Sequence, residues 1–297
     1  MAAARDAAGA QHYPQGALYV LATPIGNLAD ITLRALHVLQ LADAVACEDT
    51  RHTQALLRAY GIDKPPGAWL AVHQHNEAGA AGAVLQRLAQ GERVVYASDA
   101  GTPAVSDPGA RLVAAVQAAG HAVVPLPGAS SVTALLSVAG AAGDDAAFVF
   151  AGFLPAKAGE RDAALAAFAA ESRAVVLLEA PHRIEALAKS LAVLGDRKLT
   201  VGRELTKQFE QVAVVTCAGL ATWLATDAKR SHGEFVLLLH PQAVADTGGE
   251  GLRVLELLLA ELPVKSAVKL AAEITGAPRN ELYDAALRIK GGGAGPG

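Results

Sequence analysis

The sequence predicts an α/β protein with two consecutive α/β domains and a small helical extension. Short apolar, β-rich runs alternate with helical patterns between Leu18 and Leu239. A Pro- and Gly-rich cluster at residues 125–128 interrupts this alternation, and residues 252–290 show helical periodicity alone. The 297 residues are 52% hydrophobic and 18% charged, which excludes disorder for the bulk of the chain and suits about two domains.

The first predicted domain covers residues 16–127 and follows a stretch, residues 1–15, that we expect to be disordered. Apolar residues recur at helical spacing between its strands, as at Leu33, Leu36 and Leu39. Its strands are apolar on both faces, which predicts a parallel sheet covered by helices on both sides. The predicted strands are Leu18–Ile25, Ala44–Cys47, Ala68–Val72, Arg93–Ser98 and Ala122–Leu126.

The second predicted domain covers residues 128–242. It begins with a helix over Ser130–Ala139 and has further helices over Arg161–Phe168 and His182–Leu194. The last three strands are close together in the chain, which predicts antiparallel pairing and a mixed sheet. The predicted strands are Phe148–Phe153, Ala174–Glu179, Leu199–Glu204, Gln211–Thr216 and Glu234–Leu239.

The helical extension is predicted over residues 250–290, before a glycine-rich tail at 291–297 that we expect to be disordered. Helices at Leu252–Leu262 and Val264–Ile274 precede a Gly-containing turn and a helix at Arg279–Ile289, which is typical of a helix-turn-helix unit. Five basic and three acidic residues lie between Pro263 and Lys290, although the whole chain carries a formal charge of -4. Both an RNA-contacting unit and a purely structural cap are compatible with this pattern.

Several classes of protein are disfavoured by motifs that the sequence lacks. It has no GxGxxG after a strand, no GxxxxGK[ST] and no HExxH, so we expect neither the common nucleotide loops nor a metal site. The two cysteines form no CxxC pair, which argues against a disulfide framework and favours a reducing cytoplasm. No run of about 18 apolar residues is present, so no membrane span is expected.

Ligands of open α/β sheets bind at the carboxyl ends of the strands, and four loops of the first half stand out there. The densest, residues 98–109, contains two Asp, two Pro, two Gly, two Ser and one Thr, more than an ordinary turn requires. The loop at 127–132 leads into a helix N-terminus, which suits an anion. For this loop a plain helix cap is the alternative, and for the loops at 23–28 and 47–51 the alternative is a plain turn or helix cap. Three charged stretches of the second half, residues 152–157, 179–183 and 202–207, also end strands, with solvated surface residues as the alternative.

These loops resemble those of the 16S ribosomal RNA (cytidine-2'-O)-methyltransferase family, a branch of the tetrapyrrole (corrin/porphyrin) methylase superfamily. The matching stretches run in the same order from Leu18 to Leu239. The resemblance implies S-adenosylmethionine in a cleft between two α/β domains, the ribose 2'-hydroxyl of a cytidine in the decoding region as acceptor, and a homodimer. The matching stretches are residues 18–32, 48–53, 98–109, 127–131, 152–155, 179–183, 202–207 and 233–235.

The sequence departs from the family pattern at two places. Gly101-Thr-Pro103 stands where the wider superfamily has Gly-Asp-Pro, so an Asp role is not carried over. Val72-His73 matches only part of an aromatic-His pair, so the resemblance assigns no role to His73 or His75.

The chemistry of methyl transfer suggests three groups of site residues. The 2'-hydroxyl must lose a proton to a carboxylate or neutral histidine, and cationic side chains would hold phosphates or a developing alkoxide. The proposed proton acceptors are Asp49, Glu48, His75 and Glu204. The proposed cofactor contacts are Pro24, Gly26, Asp99, Gly101, Thr102, Pro103, Val105, Ser130, Ser131, Ala180, Pro181 and Glu234. The proposed RNA contacts are Asn27, Arg51, Lys157, Arg161, Arg203, Lys207, Lys265 and Arg279.

The acidic overall charge predicts that the assembled small ribosomal subunit is a better substrate than naked RNA. Two alternatives remain open at this point. The same scaffold could methylate a small tetrapyrrole or a protein side chain, or it could be a non-catalytic RNA-binding or assembly factor.

Overall fold

The computed structural model describes residues 2–72, 77–105, 109–141, 147–242 and 248–291. Its first domain contains a five-stranded sheet in the order β3-β2-β4-β1-β5, in which every strand pair is parallel, as predicted. The strands are β1 (Ala17–Leu21), β2 (Ala44–Cys47), β3 (Trp69–Ala71), β4 (Val94–Ala97) and β5 (Ala122–Leu126). The helices are α1 (Ala2–Ala8), α2 (Leu33–Leu41), α3 (Thr50–Ala59), α4 (Glu77–Ala89) and α5 (Gly109–Ala118).

The N-terminal stretch is helical, so the prediction of disorder over residues 1–15 is wrong for the residues described. Ala4 and Ala8 of α1 are buried, and the helix packs on α2. The Tyr13 hydroxyl donates a hydrogen bond to the Ala8 carbonyl oxygen at 2.8 Å. Alanine has the highest helix propensity, and its small side chain allows α1 to pack closely against its neighbour.

The second domain contains a five-stranded mixed sheet in the order β6-β7-β10-β8-β9. β6 and β7 are parallel and the other pairs are antiparallel, which confirms the predicted pairing of the last three strands. The strands are β6 (Phe148–Phe153), β7 (Ala174–Glu179), β8 (Lys198–Arg203), β9 (Gln211–Thr216) and β10 (Phe235–Leu239). The helices are α6 (Ser131–Ala139), α7 (Ala158–Ala167), α8 (Ile184–Leu191) and α9 (Leu220–Ala225), of which α9 was not predicted.

The extension folds around a core of its own. It consists of α10 (Gly248–Glu261), α11 (Val264–Thr275) and α12 (Arg279–Gly291), with Gly276 in the left-handed conformation at the end of α11. The tail at 292–297 lies outside the described residues. In the described part of the chain, no helix is both long and apolar enough to cross a membrane. The core residues of the extension are Leu255, Leu259, Ala267, Val268, Ala271, Leu282, Ala285 and Ala286.

Helix α6 connects the two sheets and determines where the site lies. It follows β5 of the first sheet, but Val132, Leu135 and Ala139 pack against Val176 and Leu238 of the second. The carboxyl ends of β1 and β4 therefore lie next to the start of a helix that belongs to the other core. The predicted strand from Leu18 to Ile25 is shorter in the structure, because the chain leaves the sheet after Leu21 to form this junction.

Candidate active site

A cleft lies between the two domains, at the carboxyl ends of β1, β2, β4 and β7. It consists of two adjoining cavities of about 240 and 350 Å³. Their combined volume lies within the range of small-molecule sites. Residues of both domains line it, so neither domain could form this site alone. The two cavities share Ile25, Ala100, Ser131 and Leu178.

Hydrogen bonds between loops hold the first-domain wall of the cleft. Thr23 and Gly101 exchange both backbone hydrogen bonds, at 3.0 and 3.1 Å. The Thr23 hydroxyl donates to the Ser98 carbonyl oxygen, and the Ser98 hydroxyl donates to the Gly101 carbonyl oxygen. Gly101 has a φ of +82°, and a Cβ there would lie 3.2 Å from Cγ2 of Ile25. Only glycine allows the β1 and β4 loops to approach so closely without strain.

The N-terminal end of α6 faces the smaller cavity. Ser130, Ser131 and Val132 line it, and the Ser130 side chain makes no capping hydrogen bond. The Thr102 hydroxyl ties the β4 loop to this end through a bond to the Ala129 carbonyl oxygen. The free N–H groups of a helix start suit a carboxylate. The predicted cofactor contacts Asp99, Gly101, Thr102 and Val105 line the same cavity.

These groups fit the predicted methyl donor, S-adenosylmethionine. Ile25 and Leu178 supply apolar surface, whereas the α6 N-terminus and the Ser130 hydroxyl suit the anionic end of an amino acid. Asp99 adds a carboxylate that can accept hydrogen bonds from an amino or hydroxyl group.

Of the proposed proton acceptors within the described residues, Glu48 is the one that lines the cleft. It is half-buried and directly follows β2. Asp49 points its carboxylate at the start of α3, where it accepts hydrogen bonds from the N–H groups of Arg51 and His52 at 2.8 and 3.3 Å. These backbone bonds lower the pKa of Asp49 below its usual value. Asp49 therefore caps the helix, and it is a weak base. His75 lies outside the described residues.

The second-domain wall of the cleft includes three predicted cofactor contacts, Ala180, Pro181 and Glu234. The buried Glu179 fixes the turn that holds two of them. Its Oε1 accepts a hydrogen bond from the Ala180 N–H at 2.9 Å and lies 3.1 Å from Nε of Arg183.

Glu204, Lys207 and Glu234 form an ion cluster at the rim of the cleft. The Lys207 ammonium lies 2.8 Å from Oε1 of Glu204 and 3.1 Å from Oε2 of Glu234, and the Glu234 N–H donates to Glu204. Partial burial alone would raise the pKa of Glu204, but the bonds from Lys207 and from the backbone of Glu234 lower it overall. The side chains of Glu204 and Lys207 thus bind each other. This argues against Glu204 as a proton acceptor and against Lys207 as a phosphate ligand.

The same cluster brings the second domain against the β1 loop. A Cβ on Gly26 would lie 2.3 Å from Cγ of Lys207 and 3.1 Å from Oγ1 of Thr206. Gly26 is therefore a point of contact between the domains.

Arg161 and Arg203 are buried, which corrects their prediction as RNA contacts. Arg161 donates to the Ser190 hydroxyl at 2.9 Å and to the Ala156 carbonyl oxygen at 3.0 Å. Arg203 donates to the carbonyl oxygens of His232 and Lys229 at 2.7 and 2.6 Å. Guanidinium groups that satisfy buried carbonyls cannot also reach a phosphate on the surface.

The other predicted RNA contacts are exposed, whereas the predicted cofactor contacts Pro24 and Pro103 are buried. Arg51, Lys265 and Arg279 are exposed, and Lys157 is exposed beside Glu160 at 3.1 Å. The Asn27 side chain accepts a hydrogen bond from the Ala29 N–H and caps a short 3-10 turn. Pro24 and Pro103 line neither cavity of the cleft.

Sequence reasoning missed the apolar part of the cleft. Small and aliphatic side chains carry no chemical signal, and only their place beyond a strand end could have indicated them. The missed lining residues include Ile25, Ala100, Leu178, Leu205 and Val236.

Two family models match the chain. Residues 17–221 match the Tetrapyrrole (Corrin/Porphyrin) Methylases, and residues 245–290 match the RsmI C-terminal HTH domain. The second match confirms the predicted helix-turn-helix character of the extension.

Curated relatives resemble the chain over nearly its whole length. A Pseudomonas aeruginosa protein is 48% identical over 282 residues, covering 93% of this chain and 98% of the relative. An Escherichia coli O157:H7 protein is 45% identical over 281 residues, covering 93% and 96%. Both are named ribosomal RNA small subunit methyltransferase I.

Solved structures support the fold. A cobalt precorrin-4 methyltransferase of cobalamin biosynthesis superposes with a TM-score of 0.53 at 21% identity, covering 77% of this chain and 98% of that one. Uroporphyrin-III C-methyltransferase from Thermus thermophilus, solved with S-adenosyl homocysteine, has a TM-score of 0.51 at 21% identity, covering 74% and 96%. The domain matches and the relatives together place the chain in the ribosomal RNA small subunit methyltransferase I family, a group of enzymes within the tetrapyrrole methylases.

Proposed function

We propose that this protein transfers the methyl group of S-adenosylmethionine to the 2'-hydroxyl of a cytidine in the decoding region of 16S rRNA. The observation that carries the proposal is the single cleft built from the strand-end loops of both domains, which the predicted cofactor loops line. Family membership and the names of the relatives support an rRNA substrate.

The protein contributes mainly alignment to this reaction. The bound donor supplies a methyl group that its sulfonium already activates. The α6 N-terminus and Ser130 hold the carboxylate end of the donor, and the Thr23–Gly101 pair keeps the facing loop rigid. Correct placement of two reactants can lower a barrier by roughly 7–11 kcal/mol.

Glu48 is the side chain that we assign to accept the proton of the 2'-hydroxyl. It lines the cleft directly after β2, whereas the carboxylate of Asp49 caps α3 and that of Glu204 belongs to the ion cluster. Glu48→Gln should lower kcat by roughly 10²- to 10⁴-fold with unchanged affinity for the donor.

Asp49→Asn is the matched control, because asparagine caps a helix as well as aspartate does. It should retain turnover, since the cap is preserved and only the charge is lost. A large loss in Asp49→Asn together with normal turnover in Glu48→Gln would transfer the role to Asp49.

Methylation of purified ribosomal subunits tests the function directly. Small subunits from cells lacking the gene are incubated with the protein and labelled S-adenosylmethionine, and nuclease-digested rRNA is analysed by mass spectrometry. We expect 2'-O-methylcytidine from subunits and much less from naked 16S rRNA, because the chain's charge of -4 disfavours RNA that lacks ribosomal proteins. Equal labelling of both would contradict the preference for the assembled subunit.

Two further assays address the alternatives. Methylation of a corrin but not of subunits would identify a tetrapyrrole enzyme. No heat of binding with S-adenosylmethionine in calorimetry would identify a non-catalytic RNA-binding factor.

We also propose that the protein is a homodimer and acts in the cytoplasm with ribosomal subunits. The outer strand β9 supports a dimer, because Val212 and Val214 are 45% and 56% exposed and the nearby Phe209 is 67% exposed. Exposed apolar side chains on an outer strand favour association with another chain. Light scattering should give twice the chain mass, and Val214→Asp should give the mass of one chain.

A further inference from the structure

Another cavity, separate from the two that form the cleft, lies between α3 and the outer strand β3. We call it the α3 groove, and its volume is about 500 Å³. Its lining includes Thr50, two residues after the cleft residue Glu48, so the groove and the cleft lie close to each other along the chain at the start of α3. The residues that line it are Thr50, Gln54, Arg58, Ile62, Asp63, Lys64, Pro66, Trp69 and Ala71.

The helix beside the groove is basic although the protein as a whole is acidic. α3 contains Arg51, His52 and Arg58 and no acidic residue, whereas the chain has a net charge of -4. Arg51 and Arg58 are seven residues apart, which places them on one face of the helix about 10 Å apart along its axis. This face attracts a polyanion.

Arg58 is available for such a contact. Its ion pair with Asp63 has a length of 3.4 Å, and the two side chains are 69% and 83% exposed. Ion pairs this exposed contribute little, so a phosphate can replace the carboxylate at small cost. Lys64 is not available in the same way, because its ammonium donates to the carbonyl oxygens of Ala42 and Gln40.

Trp69 supplies an aromatic surface in the same groove. It lies on β3, the outermost strand of the first sheet, where it packs in part against the core of the first domain and also lines the groove. The amide of Gln54 on the groove wall can both donate and accept hydrogen bonds. An aromatic ring with cationic groups beside it is the combination by which proteins bind single-stranded nucleic acid.

We propose that the α3 groove binds an unpaired nucleotide next to the methylated one, with its base on Trp69 and the flanking phosphates on Arg51 and Arg58. The inference rests on the proposed function, because it requires the target ribose to lie at Glu48. A strand that passes through the cleft there meets the positive face of α3 as it leaves.

The fluorescence of Trp69 gives a direct test of stacking. The chain contains two tryptophans, and the other one, Trp223, lies in the second domain with the Arg230 guanidinium 4.6 Å from its ring centroid. Trp223→Phe therefore leaves Trp69 as the reporter, and Trp69→Phe leaves Trp223 as the matched control. An unstructured oligocytidylate should quench the tryptophan fluorescence of Trp223→Phe and not that of Trp69→Phe. Binding of the oligonucleotide, seen by anisotropy, without quenching of Trp69 would overturn the proposal.

Steady-state kinetics provide a second test. With small subunits as substrate, Trp69→Ala and Arg58→Glu should raise KM roughly 5- to 100-fold and leave kcat and the affinity for S-adenosylmethionine unchanged. Trp69→Phe should stay near the wild type, which separates stacking from loss of fold. Lys189→Glu, an exposed charge reversal on α8, is the control for net charge. Unchanged KM in both Trp69→Ala and Arg58→Glu would overturn the proposal.

The two tests separate failure of the groove from failure of the proposed function. If cytidine methylation is normal and the groove variants leave KM unchanged, the proposal for the α3 groove is wrong and the proposed function stands. If the fluorescence of Trp69 is quenched but no cytidine is methylated, the proposed function is wrong and the α3 groove is still an RNA-binding site.

Discussion

Individual residues at the cleft are constrained by backbone conformation as much as by side-chain chemistry. Gly101 has a positive φ and exchanges hydrogen bonds with Thr23, while Ala104 and Glu204 have φ values of 65° and 52° without being glycine. A left-handed conformation costs a non-glycine residue about 1–2 kcal/mol. Such strain is typical of positions where surrounding contacts hold a functional loop in place.

Gly101→Ala is expected to weaken cofactor binding more than it lowers stability. The left-handed backbone costs about 1–2 kcal/mol, and the new Cβ, 3.2 Å from Ile25, displaces the cleft wall. Calorimetry with S-adenosylmethionine and thermal unfolding measure the two effects. Gly61→Ala is the control, because it has a φ of +71° with nothing within 4 Å of its Cβ. Equal cofactor affinity in the two variants would contradict the expected role of Gly101.

Both thiols are expected to be unreactive in the native protein. Burial raises the pKa of Cys47 and of Cys217 to about 11, so the nucleophilic thiolate is scarce at neutral pH. A thiol reagent at pH 7.5 should label neither cysteine until denaturant is added, and peptide mass spectrometry measures the labelling. Fast labelling of native Cys47 would contradict its burial at the end of β2.

At the scale of elements, a charged loop of the second domain contacts the β1 loop of the first. The loop after β8 carries Glu204 and Lys207, and it touches the β1 loop at Gly26. The bonds to Glu204 and Glu234 raise the pKa of Lys207 overall, although burial alone would lower it. The loop is therefore held by groups whose charge depends on pH.

Lys207→Ala should lower the melting temperature over a defined range of pH. Because the pKa of Glu204 is lowered by folding, its stabilisation is fully present above the ordinary value of about 4.3 and is lost as pH falls through the lower folded value. Because the pKa of Lys207 is raised, its stabilisation is present below about 10.4 and is lost as pH rises through the higher folded value. The difference between wild type and variant should thus be largest between about pH 5 and 10.

Lys157→Ala serves as the control for this experiment. Its side chain is 82% exposed beside Glu160, so its removal should change little at any pH. A difference for Lys207→Ala that persists unchanged below the folded pKa of Glu204 would contradict the ion cluster as its cause.

At the scale of the whole molecule, the methylase domains and the extension have separate hydrophobic cores. The extension has a core made of its own α10, α11 and α12. The cleft is lined by residues between Ile25 and Val236, all of which precede the extension. Cofactor binding is thereby assigned to the two α/β domains, without a contribution from the extension to the lining of the cleft.

A chain that ends at Gln242 should therefore fold and bind S-adenosylmethionine with the affinity of the full protein. Its affinity for the small subunit should fall, because Lys265 and Arg279 are removed. Calorimetry and subunit sedimentation measure the two quantities. If subunit binding is retained, the extension is structural, and if cofactor binding is lost, the cleft depends on it.

The sequence by itself determined the order of elements, the direction of strand pairing and the loops that form the cleft. Strands β2, β5, β6, β7 and β9 have the predicted bounds, because periodicity and turn residues are local properties of the chain. The tertiary structure alone decided which charged side chains are available. Arg203 ends β8 and Arg51 follows β2, both in polar stretches. Arg203 is buried against carbonyls 26 and 29 residues away, whereas Arg51 is exposed. A long charged side chain takes its partners from elements distant in the chain, and no local pattern contains that information.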